Sequence, residues 1–486
     1  MINFSSIFNI DWISVIYIIN IILTFAIIFL ERKNPAATLA WILVLFVLPG
    51  VGIILYILFS QNIARKQIYR FTDGEKRIIT EELQKQSAEI HDEVIKYTTD
   101  EAEKWKSLIR LNHVYANAYL TQNNDIEIFT DGKEMFESLV RDIQHATKSV
   151  NVMTYILKDD KVGSAFIDVL TEKAREGVEV RLMMDALGSR MISNRKLKAF
   201  IIAGGKVAYF FKPKLKLINL KLNYRNHRKI VVIDGRKGYI GGFNVAKEYL
   251  GFKRKFGYWR DTHIKIRGGA VQDLYARFLM DWRYASKEDL ELSQAYFGAP
   301  AEAGNTPVQI LSCGPNSTRE EIKRSMMRMI TFAEKSIYLQ TPYFIPDPSM
   351  IESLKMASQS GVDVNIMIPC MPDHIFVYWA TYSYVGELLR AGARVFVYDG
   401  GFLHAKTLTV DGEVTTIGSA NFDQRSFRLN FESNAIIYDS KVAGEMESIF
   451  KEDMRRGHEL TLQSYNERSI IIRFKEAVSR LLSDIL

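Results

Sequence analysis

Cysteine is almost absent. Cys313 and Cys370 are the only two in 486 residues, and no Cys-x-x-Cys pair occurs. A disulfide scaffold is therefore excluded, and the two thiols read as reduced, packed residues without chemistry. No run of His, Cys, Asp and Glu has metal-ligand spacing either, so neither a metal nor a cofactor is expected. Charge is missing from two stretches near the start. None falls between Trp12 and Leu30, and none between Asn34 and Ala64, where the run from Leu39 to Phe59 is the most apolar.

A helix needs about 20 apolar residues to cross the hydrocarbon core, so both stretches are long enough to span. Glu31, Arg32, Lys33, Asn34 and Pro35 form the short polar turn between them. Pro49, Gly50 and Gly52 lie inside the second run, where membrane helices tolerate such residues as kinks. A cleaved signal peptide is the competing reading of the first run; it lacks a basic start, and a second span follows directly. No Lys or Arg precedes Asp11, whereas Arg65, Lys66, Arg70, Lys76 and Arg77 follow the second run. The positive-inside rule then puts the large C-terminal part in the cytoplasm, on a multi-pass protein of the cell membrane.

The remaining chain is globular in composition, with 48% hydrophobic residues and a net charge of +7. That balance favours an anionic partner, nucleic acid or an anionic lipid surface, although it is also ordinary for this length. Residues 63–120 read as a charged helical connector, in which His91 and His113 are solvated. Two segments of similar order follow, 121–296 and 297–486, with a boundary at the Ala- and Gly-rich Phe297–Thr306. ATKSVNV matches AEKSIYL, and GVEVRLMMD matches GVDVNIMIP. Strands alternating with helices predict α/β layers, and a period this long fits a duplicated domain rather than a solenoid. The final helix, SIIIRFKEAVSRLLSDIL, is amphipathic; packing is the favoured reading of its apolar face, and a membrane surface the alternative.

Inside the repeat lies a pattern with chemical content. His227, Lys229 and Asp234 stand in NHRKIVVIDGRKGYIGGFN, and His404, Lys406 and Asp411 in LHAKTLTVDGEVTTIGSAN. Both the histidines and the trailing Asn244 and Asn421 are one period apart (404 − 227 = 177; 421 − 244 = 177). On a strand, His227 and Lys229 share a face, as do His404 and Lys406. Joining the halves would surround one phosphate with two imidazoles and two ammonium groups. The lysines and the two Asn amides can stabilise charge on the phosphoryl oxygens. A neutral imidazole can attack phosphorus, and a protonated one can release the leaving oxygen. Each imidazole also needs an orienting acceptor, for which Asp261 and Glu432 are candidates, one downstream of each motif. Asp234 and Asp411 belong to the candidate catalytic set by motif. Each precedes a Gly, however, and so reads as a turn residue that braces the site.

These residues resemble the phospholipase D superfamily, whose mark is this duplicated motif followed by Gly-Gly/Ser-x-Asn, over residues 125 to 465. The resemblance implies two tandem phospholipase D-like α/β domains in a pseudo-twofold arrangement, here behind an N-terminal two-helix transmembrane hairpin (residues 1–62). It further implies a covalent phosphohistidine, with His227 as nucleophile and His404 as acid; the residues alone leave that assignment open. One departure is Gly242 where the second copy has Ser419, which supports different jobs for the two halves. Within the superfamily, ERKNPAATLAWILVLFVLPGVG, YWRDTHIKIRG and TPYFIPD resemble the bacterial cardiolipin synthases. That narrower resemblance implies transfer of a phosphatidyl group from one phosphatidylglycerol to another, with release of glycerol.

An anionic bilayer also suits two segments that interleave aromatic and basic residues. One holds Phe210, Phe211, Lys212, Lys214, Lys216, Lys221 and Arg225, the other Phe252, Lys253, Arg254, Lys255 and Phe256. The bland reading of both is a basic loop with packed aromatics. Rival functions are hydrolysis to phosphatidate, nucleic-acid cleavage, and a non-catalytic membrane scaffold. The apolar runs count against a nuclease, so no nucleic-acid partner is expected, and two intact His-Lys pairs count against a scaffold.

Overall fold

Strands that are buried on both faces need cover on both sides. Ser149–Thr154 and Glu179–Asp185 are of this kind and pair in parallel, Val150 beside Val180 through Thr154 beside Met184. Amphipathic helices supply the cover. Gly132–Gln144 buries Met135, Phe136, Leu139 and Ile143, and Lys161–Arg175 buries Phe166, Ile167 and Leu170. Asp131 and Asp160 cap these helices by accepting from the first free backbone amides. The computed structural model describes residues 12–30, 35–59, 68–69, 72–212, 223–288, 290, 303–481 and 483. The polar turn at 31–34, residues Arg65, Lys66, Arg70, Lys214, Lys216 and Lys221, and the boundary residues 297–302 lie outside them.

The second half repeats the first strand for strand. In the first, Lys206–Phe210, Glu179–Asp185, Ser149–Thr154, Ile230–Ile233, Lys237–Gly241, His263–Arg267 and Leu120–Phe129 are neighbours in that order. In the second, the order is Arg394–Tyr398, Asp363–Pro369, Ser336–Gln340, Thr407–Val410, Val414–Gly418, Asn430–Tyr438 and Thr306–Cys313. Leu120–Phe129 and Thr306–Cys313 pair antiparallel, so the two half-sheets run on as one 16-stranded sheet. The expected α/β halves are present, with a separate hydrophobic core in each.

Asp234 and Asp411 occupy matching turns. Each has positive φ, 54° and 56°. The Asp234 carboxylate accepts from the backbone amides of Thr147, Lys148 and Ser149, and that of Asp411 from Glu334, Lys335 and Ser336. Each therefore ties the end of its motif strand to the start of the neighbouring strand, with both oxygens spent on amides. Of the two roles expected of them, these contacts display the bracing one. Burial works to raise the Asp234 carboxyl, but the amides hold it below its ordinary value. Its stabilising contribution is thus present above the unfolded carboxyl range and is lost as pH falls through the lower folded value. Asp411→Asn should cost about 1–3 kcal/mol of stability while the motif histidines keep their partners. Denaturant unfolding measured beside specific activity checks this.

Two sequence expectations change. The connector is three helices, Asp73–His91, Asp100–Lys104 and Lys106–Ala116. Trp105, Leu108 and Ile109 enter the core of the second half, so the segment is packed on the catalytic fold rather than bridging away from it. His113 is buried there, with Nε2 3.0 Å from the Leu83 carbonyl, whereas His91 is exposed as expected. The N-terminal unit contains helices Trp12–Leu30, Pro35–Val47 and Val51–Phe59. The second apolar run is broken at Leu48–Gly50, where Gly50 has φ 83°. Trp41 and Tyr56 then meet at 5.3 Å between ring centroids, although a straight helix would hold them about 22 Å apart. Among the described residues, no helix is long and apolar enough to cross a membrane. The two-span hairpin is therefore not what the helices show.

Candidate active site

The site follows from two short parallel pairings between the halves. Arg225 and Asn226 pair with Asn430 and Phe431, and the His227 amide donates to the Phe431 carbonyl at 2.9 Å. Continuing that register brings His227 beside Glu432. In the other direction Gly401–Leu403 pairs with Tyr258–Arg260, and the His404 amide donates to the Arg260 carbonyl at 2.7 Å. The next step brings His404 beside Asp261.

The carboxylates therefore cross. His227 Nδ1 donates to both Glu432 oxygens at 3.0 Å, and His404 Nδ1 to Asp261 Oδ2 at 2.5 Å. Sequence order paired each histidine with the carboxylate downstream of it in its own half. The inter-half strand pairs reverse that. Arg228 Nε braces one acceptor through the Glu432 carbonyl at 3.1 Å, and Arg228 Nη1 is held by Asp281 at 2.6 Å. Arg260, paired with Asp453 at 2.8 Å, braces the other through the Asp261 carbonyl.

Lys229 Nζ donates to the His227 carbonyl at 2.6 Å, and Lys406 Nζ to that of His404. Both lysines are buried with the pairs, and each is close enough to the other half's charges to feel them. Burial pushes Lys229 down to about 7 and Lys406 to about 8. Burial, then Lys406, pushes His404 down to about 4 against the pull of Asp261. His227 is also lowered by burial, with Glu432 opposing. For both carboxyls burial acts upward. Lys406 and His404 nevertheless keep Asp261 low, and His227 keeps Glu432 low. These shifts favour neutral imidazoles on charged carboxylates and loosen the protons of the two lysines.

The Asn residues differ. Asn244 Oδ1 accepts from the Ile156 amide at 3.0 Å and Nδ2 donates to the Tyr249 hydroxyl at 2.7 Å, so its amide is committed to the scaffold. Asn421 is buried with Oδ1 unpartnered. The expected pair of amide donors is therefore reduced to Asn421. Ser419 Oγ donates to the Ser433 carbonyl and accepts from its amide at 3.0 Å, bracing the strand that carries Glu432. Gly242, its counterpart, has no room for a side chain: a Cβ there would sit 2.0 Å from Asp261 Oδ1. Gly242→Ala should force Asp261 off His404 and lower turnover roughly 100-fold without unfolding the protein, while Ser419→Ala stays within severalfold of wild type. Steady-state rates beside thermal melts check both.

Sequence reasoning missed the aromatic walls. Tyr155 lies 4.9 Å from the His227 ring, and Trp259, Tyr249 and Phe402 lie 5.1, 6.0 and 6.0 Å from His404. Their signal was available, since Trp259 and Phe402 are each two residues from a site residue in the paired strands. Of the aromatic residues read as bilayer-facing, Phe210, Phe211 and Phe256 are buried and only Phe252 is exposed.

The comparisons agree with this architecture. A family described as cardiolipin synthase, phospholipase D-like domain, matches residues 139–281 and 326–454. One described as phospholipase D-nuclease N-terminal matches 18–61. The chain is 47% identical to the major cardiolipin synthase of Bacillus subtilis, covering 98% of each. It is 46% identical to the cardiolipin synthase of Listeria monocytogenes serotype 4a, covering 97% of this chain and 98% of that one. A crystal structure of phosphatidylserine synthase from Haemophilus influenzae covers 78% of this chain and 100% of its own, with a TM-score of 0.59 at 15% identity, a likeness of fold. The chain belongs to the phospholipase D-like cardiolipin synthases.

Proposed function

We propose that this protein makes cardiolipin by moving a phosphatidyl group from one phosphatidylglycerol to another and releasing glycerol. The observation that carries the mechanism is the crossed arrangement of two buried His-carboxylate pairs around two lysines. His227 Nε2 attacks phosphorus, and the bond to the glycerol oxygen breaks as that oxygen takes a proton from His404. The hydroxyl of a second phosphatidylglycerol then returns its proton to His404 and attacks the phosphohistidine, freeing His227. Lys229, Lys406 and the Asn421 amide hold the phosphoryl oxygens. Glu432 and Asp261 fix the tautomers so that Nε2 of each ring faces the phosphate. His404 is neutral in the free site, and the arriving anionic phosphodiester favours its protonated form.

The same reading holds the enzyme at an anionic bilayer of the cell membrane, with the catalytic halves on the cytoplasmic side. The division into an anchor at 1–62, a connector at 63–120 and halves at 121–296 and 297–486 belongs to it. Support comes from the relatives named cardiolipin synthase and from the N-terminal family match.

Phosphatidylglycerol labelled in headgroup and acyl chains tests the proposal. Cardiolipin and free glycerol in equal amounts are expected, and phosphatidate as the sole product overturns it in favour of the hydrolase. A pH profile adds a second check. Activity rises as His227 loses its proton, below the ordinary imidazole range because burial lowers it. It falls as the lysines neutralise, between about 7 for Lys229 and about 8 for Lys406. kcat/KM should therefore already decline above the value of about 4 to which burial and Lys406 push the His404 acid, and more steeply in this window. The alkaline limb in kcat should move upward, because bound phosphate favours the ammonium forms. An alkaline limb at ordinary lysine values in kcat/KM would contradict this.

A further inference from the structure

The C-terminal helix Ile470–Leu481 is mounted with its polar side inward. Glu476 and Ser479 are buried. Glu476 accepts two hydrogen bonds from Arg468 at 2.8 Å. Arg480 pairs with Glu387 and lies 4.3 Å over Tyr384, and Lys475 lies 5.2 Å over Trp379, so helix Ile375–Arg390 is the partner of this polar side. The apolar residues point the other way. Ile470, Ile471, Phe474 and Leu481 are 82%, 64%, 68% and 85% exposed. At about 100° per residue these four fall within one quadrant or so of the helix. A helix meant only to close the core would be turned round.

The partner helix continues the exposed surface. Its first residues, Ile375 and Phe376, are 64% and 53% exposed. They follow Asp373, which is bonded to the Tyr343 hydroxyl, and Cys370, whose Sγ lies 3.7 Å from the Gly401 carbonyl on the strand that leads to His404. The apolar surface therefore leads toward the catalytic groups. Its border is basic. Arg473 and Lys475 flank the exposed face together with Arg480, which Glu387 already pairs, while the helix's own acid, Glu476, is turned inward. A second copy docking through the same face would set these cations against their own copies, whereas anionic headgroups complement them.

We infer that the outward face of Ile470–Leu481, continued by Ile375 and Phe376, is a second membrane contact that lies in the interface of an anionic bilayer beside the site mouth. A helix with this apolar face and basic border lies in the headgroup plane instead of crossing it. This contact rests on the reading that the substrate is a bilayer phospholipid, and it would let donor and acceptor reach the phosphate site without leaving the lipid.

Full-length protein in phosphatidylglycerol-containing vesicles tests it. An environment-sensitive fluorophore at Phe474→Cys, in a Cys370→Ser background, should be quenched by nitroxide acyl chains well beyond the same label at exposed Glu445→Cys. Combined Ile470→Ser, Phe474→Ser and Leu481→Ser should lower turnover roughly tenfold on vesicle phosphatidylglycerol and leave turnover in detergent micelles unchanged. Quenching no greater than at the Glu445 position overturns the inference, as does an equal loss in vesicles and micelles. Protection at position 474 that grows with protein concentration and ignores the lipid quencher overturns it in favour of a second copy. If the lipid quencher acts but no cardiolipin forms from any phosphatidylglycerol, the membrane contact stands and the activity reading falls.

Discussion

Alanine at His227 or at His404 is expected to lower cardiolipin formation by about four orders of magnitude or more. The two losses should differ in kind. In the proposed mechanism His227→Ala removes the atom that bonds to phosphorus, and the neighbouring Lys229 is fixed on the His227 carbonyl rather than aimed as a substitute. No donor lipid, however activated, should then form an intermediate. His404→Ala removes the proton for the departing oxygen, so a phosphatidyl donor with a p-nitrophenolate leaving group should recover the first step. Single-turnover release of p-nitrophenol reads this directly. Recovery in His227→Ala with none in His404→Ala would exchange the two roles.

The second large effect concerns the crossed carboxylates. Asp261→Asn and Glu432→Gln should each cost about 100- to 10,000-fold in turnover, because a neutral amide neither fixes the tautomer nor stabilises the imidazolium. Their phenotypes reveal the pairing. Asp261 lies in the half that carries His227, yet it holds His404. Asp261→Asn should therefore imitate His404→Ala, with a defect relieved by the activated donor. Glu432→Gln should imitate His227→Ala, with no such relief. The opposite pattern would mean that each carboxylate serves its own half.

Most of the candidate site could be read in the chain, because strand alternation alone puts His and Lys two residues apart on one face. Asp261 and Glu432 were found as the carboxylates following each motif. Their crossing was not legible, since it depends on the pairings Asn226–Phe431 and Leu403–Arg260 between segments more than 140 residues apart. The aspartates of the motif share a left-handed turn geometry, and the Gly after each marked it. Gly242 against Ser419 was visible as an asymmetry, but its cause is the space that Asp261 occupies. The halves were legible from their repeated strands, whereas the joining of their sheets depends on Leu120–Phe129 and Thr306–Cys313, which carry no motif. Helix orientation was misread at the C-terminus. Amphipathic spacing shows that a helix has an apolar face, and only Glu476, Ser479 and their partners show which way it looks.

The most direct test of the account is the intermediate itself. Wild-type protein mixed with acyl-labelled phosphatidylglycerol, quenched within one turnover and digested under conditions that preserve phosphoramidates, should yield a phosphatidyl adduct on the peptide containing His227. That adduct should be absent from His227→Ala and should pass to cardiolipin when fresh phosphatidylglycerol is added before the quench. Cardiolipin formed at the wild-type rate by His227→Ala, or an adduct on a residue other than His227, would contradict it.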